Sequence, residues 1–154
     1  MDPLLKKLNY KDHDSITVLN APDSFNSYLS TLPKDIKIYN TANEVEIIDF
    51  ILIFVTKEEE VVNYLEEVTS KFEGDVVLWM CYPKKSSKKY KSSINRDSGW
   101  NVIGTYEMEG VRQVAIDEDW SALRFRKVAF IKTMKRKFKT LSKSGEEKAK
   151  LNKK

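Results

Sequence analysis

Short apolar runs alternate along this chain with stretches where apolar residues recur every three or four positions. Residues 15–19 (SITVL) form a β-branched run that breaks at Asn20-Ala21-Pro22, which predicts a strand feeding a loop. Ser24 stands as an N-cap, and Phe25, Tyr28, Leu29 and Leu32 follow at helical spacing until Pro33. Residues 36–39 (IKIY) predict a second strand. Residues 49–55 (DFILIFV) are apolar throughout, as a strand covered on both faces is. Thr56 then caps a helix with Glu58, Glu59 and Glu60 in its first turn, near the positive end of the dipole. Val61, Val62, Leu65, Val68 and Phe72 make its apolar stripe and Gly74 its stop. Residues 76–82 predict a further strand, ended by Pro83. Residues 97–108 predict a helix with Trp100, Ile103, Gly104 and Met108 facing inward, broken by Gly110. Residues 111–116 and 122–128 predict two strands. The link Asp117-Glu118-Asp119-Trp120 is too short for a parallel crossover, so they form an antiparallel hairpin.

Strands alternating with helices define an α/β chain: a single Rossmann-like three-layer domain. Its sheet is mainly parallel, ends in an antiparallel hairpin, and places the first strand beside the third. The two most apolar runs, 49–55 and 76–82, supply the central strands. The 154 residues suffice for one domain with a real core, and 41% hydrophobic against 32% charged content fits a soluble protein. The longest apolar run, 47–55, is far shorter than a membrane-spanning helix, and the N-terminus lacks the layout of a secretory signal. The single cysteine, Cys81, lies in an apolar run and reads as a buried, inert thiol, so the expected location is the cytoplasm. The net charge of +4 is unevenly distributed. Residues 132–154 hold 10 Lys/Arg against 2 Glu, whereas residues 1–131 hold 17 against 21 acidic residues. The division is therefore a Rossmann-like domain over 1–131 and a basic, flexible tail over 132–154, low in apolar residues.

The layout resembles a shortened class I methyltransferase domain, whose sheet ends in the same reversed hairpin. More specifically, NAP after the first strand, the YPKK loop, Arg96-Asp97 with Gly99-Trp100, and VAIDEDWSALRF resemble a family of small bacterial proteins carrying a domain of unknown function. The likeness covers roughly residues 5–130 and implies a fold more than an activity. Methyltransferases of this class place a glycine-rich turn after the first strand and an acidic residue at the end of the second. Here those positions read Asn20-Ala21-Pro22-Asp23-Ser24-Phe25 and Tyr39-Asn40-Thr41. The resemblance thus implies a degenerate, non-catalytic relative. No cofactor is predicted, and S-adenosylmethionine is not expected.

Residues 75–100 carry the most suggestive chemistry. A buried strand empties into a loop with Lys84, Lys85, Lys88, Lys89 and Lys91, interleaved with serines and Tyr90. Loops at the carboxyl ends of parallel strands are where open α/β sheets bind ligands. Lys84, Lys85, Ser87, Lys88, Lys89 and Arg96 are therefore anion-binding candidates, the plain alternative being a solvated loop. No GxxxxGK[ST] pattern occurs. Asp97 or Ser98 reads as a helix cap, with Arg96 pairing to a carboxylate across the loop or ligating an anion. Across the crevice, Asn20, Asp23, Asn40 and Pro83 are the candidate cofactor-binding positions. In the hairpin, Asp117, Glu118, Asp119, Trp120 and Arg124 fit either a local turn or a divalent-cation or acid–base site, with Glu118 or Asp119 pairing to Arg124 or Arg126. The local turn is the preferred reading, so no metal is predicted. His13, the only histidine, lies in a polar segment and reads as a surface residue, and a zinc site there has no support. Trp79 reads as core, as do Trp100 and Trp120, which border the loops.

These readings lead to a non-catalytic methyltransferase-like binding or interaction protein. One alternative is a nucleotide- or S-adenosylmethionine-binding enzyme with an atypical pocket. Another is a weak RNA or DNA binder working through the basic loop and tail. The expected partner of the loop is an anionic small molecule, and no membrane partner is expected.

Overall fold

The computed structural model describes residues 1–131, so the basic segment beyond them lies outside the described residues. The strands are β1 (Ser15–Leu19), β2 (Lys37–Tyr39), β3 (Ile48–Phe54), β4 (Phe72–Pro83), β5 (Met108–Ala115) and β6 (Trp120–Lys127). The helices are α1 (Pro3–Lys7), α2 (Asn26–Leu29), α3 (Glu58–Val68) and α4 (Asn101–Gly104). The strands make one sheet in the order β2-β1-β3-β4-β6-β5. β1 pairs in parallel with β2 and β3, and β3 in parallel with β4. β6 runs antiparallel to both its neighbours, β4 and β5. The predicted architecture is the one observed, with β1 beside β3 and the two most apolar strands at the centre.

Period-two alternation on β3 and β4 builds two cores, one on each face. Ile51 and Ile53 join Val76, Leu78, Met80 and Tyr82 beneath α3 and α4, where Val61, Leu65, Val68, Trp100 and Ile103 close over them. Phe50, Leu52 and Phe54 join Val77, Trp79 and Cys81 on the opposite face, covered by Leu4, Leu5, Leu8 and Phe25. The first helix, α1, was not foreseen. Asp2 accepts from the Leu4 backbone at 2.9 Å and Pro3 opens the turn, a start signal present in the sequence but followed by only five helical residues. The Leu8 carbonyl just beyond it accepts the Trp79 indole N–H at 2.7 Å, which ties the N-terminal segment to the centre of the sheet.

Several predicted boundaries move. The helix expected from Ser24 to Leu32 is a single turn at Asp23–Phe25 followed by α2, and no side chain caps either. The residue flanking α3 is Lys57 rather than Thr56. Glu60 Oε1 accepts from the Thr56 and Lys57 backbones at 2.8 and 3.2 Å and from the Thr56 hydroxyl. α3 ends at Val68, so Phe72 and Gly74 belong to β4 rather than to the helix. Between Ile48 and Phe50 the β3–β4 register shifts, and Gly74 sits there at φ 60, a conformation glycine adopts without steric cost. The helix expected over 97–108 contracts to α4. Met108 and Gly110 are β5 residues, and a bulge at Gly110–Arg112 rather than a break marks the glycine.

Candidate functional site

Two places at the carboxyl ends of the parallel strands deserve comparison. The first is the switch point between β1, which leads to β2 on one side, and β3 on the other. The loop after β1 turns at Asn20 with φ 60. Its side-chain amide donates to the Phe54 carbonyl at 3.0 Å, lacing the ends of β1 and β3 together. Phe25 is buried and meets Phe54 edge-on, with ring centroids 5.1 Å apart. Phe54 in turn meets Trp120 at 5.1 Å, and Trp120 meets Tyr90 at 4.9 Å. An aromatic row therefore runs along the strand ends on the α1–α2 face, from Phe25 beside β3 to Trp120 on β6. Tyr39 packs instead against the core of the other face. Asp23 and Asn40 are exposed.

The second place is an open cleft of about 490 Å³ at the ends of β4, β5 and β6. Tyr82, Pro83 and Ser121 form its floor, Lys84, Lys85 and Arg96 its cationic rim, and Asn95, Asp97, Ser98 and Gln113 complete the lining. Tyr82 and Ser121 are register partners on β4 and β6, so their side chains share one face. The Gln113 amide donates to the Tyr82 hydroxyl at 2.8 Å. Burial pushes the Tyr82 phenol above its ordinary value, against the smaller opposite effects of the Gln113 bond and Arg96. Its ring meets Trp100 edge-on at 5.5 Å.

The rim depends on the segment from Asn95 to Trp100. Asn95 and Ser98 exchange backbone hydrogen bonds, and the Asn95 side chain accepts from Asp97 at 2.9 Å. Gly99 closes the turn at φ 101, where a Cβ would come within 2.2 Å of Ile94 Cγ2. The Trp100 indole donates to the Asn95 carbonyl at 2.7 Å. The predicted capping of a helix by Asp97 or Ser98 is thus replaced by a hairpin-like turn, since the residue before α4 is Trp100. Arg96 Nε lies 3.8 Å from its own neighbour Asp97.

Only part of the anion-binding set gathers at this cleft. Lys84, Lys85 and Arg96 line it. Ser87 is turned to the hairpin, its hydroxyl donating to Asp119 Oδ1 at 2.8 Å. Lys88 and Lys89 are exposed, and Lys89 lies over the Tyr90 ring at 5.6 Å from its centroid. The candidates Asn20, Asp23 and Asn40 lie at the other strand ends, and only Pro83 of that group reaches the cleft. The carboxylates of Asp117 and Asp119 serve local structure, and Glu118 is exposed. Asp117 Oδ1 accepts from the Asp119 and Trp120 backbones at 2.8 and 2.9 Å, an Asx turn. The Lys84 N–H donates to the Asp119 carbonyl at 2.8 Å.

The expected cross-hairpin ion pairs give way to one with β4. Arg126 forms a bidentate pair with Asp75, Nε to Oδ1 at 3.0 Å and a terminal nitrogen to Oδ2 at 2.6 Å. That pair holds the Arg126 guanidinium above its ordinary value. Arg124 stands opposite Arg112 across the ladder, and burial together with Arg126 lowers it. His13 is half-buried rather than a plain surface residue, with its ring 5.0 Å from Phe50. Among the described residues no grouping of three or more His, Cys, Asp or Glu offers a metal site. No described helix is long and apolar enough to cross a membrane.

The sequence did not single out Gln113 or Asn95. Gln113 and Ser121 enter through strand register, which periodicity does not report. Tyr82 carried a weak signal, as the last residue of an apolar run before Pro83.

No family model matches the sequence, and no curated protein matches it. Solved structures do. A SAM-dependent methyltransferase from Aquifex aeolicus is 15% identical with a TM-score of 0.54, over 80% of this chain and 87% of that one. A protein of the NADB-Rossmann superfamily from Streptococcus agalactiae is 12% identical with a TM-score of 0.45, over 82% of this chain and 68% of that one. The fold is that of the Rossmann-like methyltransferases, mixed α/β with a six-stranded, mostly parallel sheet.

Proposed function

We propose that the protein is a non-catalytic binding protein of methyltransferase-like fold that takes a small oxyanion-bearing molecule in the β4–β6 cleft. The observation that carries this reading is the contrast between the two strand-end sites. The β1–β3 ends are laced by Asn20 and packed with the buried rings of Phe25 and Phe54, while the neighbouring cleft is open and rimmed by Lys84, Lys85 and Arg96. Three of the residues lining that cleft, Lys84, Lys85 and Arg96, are cations that only donate, and one, Asp97, is an anion. Its carboxylate, Asp97, is exposed and sits beside Arg96, a poor setting for a general base.

The test is calorimetric titration against inorganic phosphate, nucleoside monophosphates, citrate, S-adenosylmethionine and S-adenosylhomocysteine at fixed ionic strength. Phosphate-bearing ligands are expected to bind, with affinity falling as salt rises, since cations on the rim are screened. Binding of S-adenosylmethionine with methyl transfer to any acceptor would replace this reading with the enzymatic one.

A further inference from the structure

The floor of the cleft differs in kind from its rim. The rim offers the cationic side chains of Lys84, Lys85 and Arg96, which attract any anion. The floor offers two neutral hydroxyls, Tyr82 and Ser121, side by side across the β4–β6 ladder and both largely buried. The Tyr82 ring is fixed on one side by Trp100 at 5.5 Å, and Trp100 is backed by Phe125 at 5.5 Å. At the hydroxyl end, Gln113 acts as a donor, so it occupies an acceptor position of the phenolic oxygen. Among the described residues no side chain takes the phenolic proton, and Tyr82 lines the cleft. A hydroxyl held in this way discriminates by geometry and acceptor strength, whereas a surface lysine discriminates mainly by charge.

We propose that Tyr82 is the specificity-determining residue of the cleft, donating its hydroxyl proton to an oxygen of a bound phosphate group, with Gln113 as the residue that positions it. This assignment rests on the anion-binding reading above. It predicts selection for phosphate and phosphomonoesters over halides, because only the former present a strong acceptor oxygen within a tetrahedral group that also reaches the cationic rim. Ser121, opposite Tyr82, is placed to contact a second oxygen of the same group.

The probe is inorganic phosphate, titrated calorimetrically into wild type, Tyr82→Phe, Gln113→Leu and Lys84→Ala across a salt series. Tyr82→Phe keeps the ring and its contact with Trp100 and loses only the hydroxyl. Its phosphate affinity is expected to fall about tenfold or more, with the salt slope unchanged. Gln113 is exposed, so Gln113→Leu leaves folding intact and is expected to weaken binding about threefold, again at unchanged slope. Lys84→Ala is expected to flatten the slope. Wild-type affinity in both Tyr82→Phe and Gln113→Leu overturns the assignment while the anion-binding reading stands. A wild type that binds neither phosphate nor a nucleoside monophosphate overturns both.

Discussion

Asn20 holds a backbone conformation that non-glycine residues avoid, and its side chain accounts for the choice. At φ 60 asparagine is among the residues best tolerated, and the same residue reaches across to the Phe54 carbonyl. An Asn20→Ala variant loses the bond and leaves a Cβ residue in the left-handed region. It is expected to lose about 1–2 kcal/mol of stability, read from the urea midpoint. Asn20→Gly removes the bond but relieves the backbone, so its loss is expected to be smaller. Equal losses would mean that the bond, not the conformation, dominates. Gly99 presents the converse case. Both its φ of 101 and the Ile94 contact exclude a side chain, so Gly99→Ala is expected to lower the melting temperature and loosen the Asn95–Trp100 turn that walls the cleft.

At the scale of elements, the basic loop is held down rather than free. The Lys84 N–H and the Ser87 hydroxyl both reach Asp119, Tyr90 packs at a tilt against Trp120, and the Ser92 hydroxyl and Ser93 N–H reach the Thr56 carbonyl. Asp119→Ala removes the Ser87 partner. It is expected to raise the rate of tryptic cleavage between Lys84 and Lys91, with the sites mapped by mass spectrometry and the global melting temperature little changed. The same loop shows how far sequence patterns reach. Its lysines and its origin at the end of an apolar strand were legible, because strand length and Pro83 fix where the chain must turn. Which lysines meet Arg96 was not, because Ser87 and Tyr90 divide the loop between the cleft and the hairpin. The helix expected over 97–108 failed for a related reason. Trp100, Ile103 and Met108 do face one core, but Met108 does so from a strand, and inward-facing spacing over so few residues fits both periods.

At the scale of the molecule, the central strands are buried on both faces, and the thiol of Cys81 at their centre reports on global unfolding. Cys81 is fully buried on β4 between β3 and β6, and burial alone pushes its thiol well above the usual value of 9.0. The thiol is protonated in the folded state at a pH where the unfolded chain has begun to release its proton. A raised folded-state value means that the stabilising difference is complete below pH 9 and is lost as pH climbs above it. Each further rise in pH above the unfolded value deepens that loss. The phenols of Tyr10, Tyr28, Tyr64 and Tyr82 are raised as well, but their unfolded value is 10.0, so their contribution begins later. Urea midpoints taken at pH 7.5 and pH 10 for wild type and Cys81→Ala separate the two. Cys81→Ala starts lower, because a buried side chain has been shortened. Its further decline between the two pH values is expected to be about 1 kcal/mol smaller than that of wild type. Parallel declines would show that the thiol ionises as readily in the folded protein as in the unfolded chain, which its full burial does not permit.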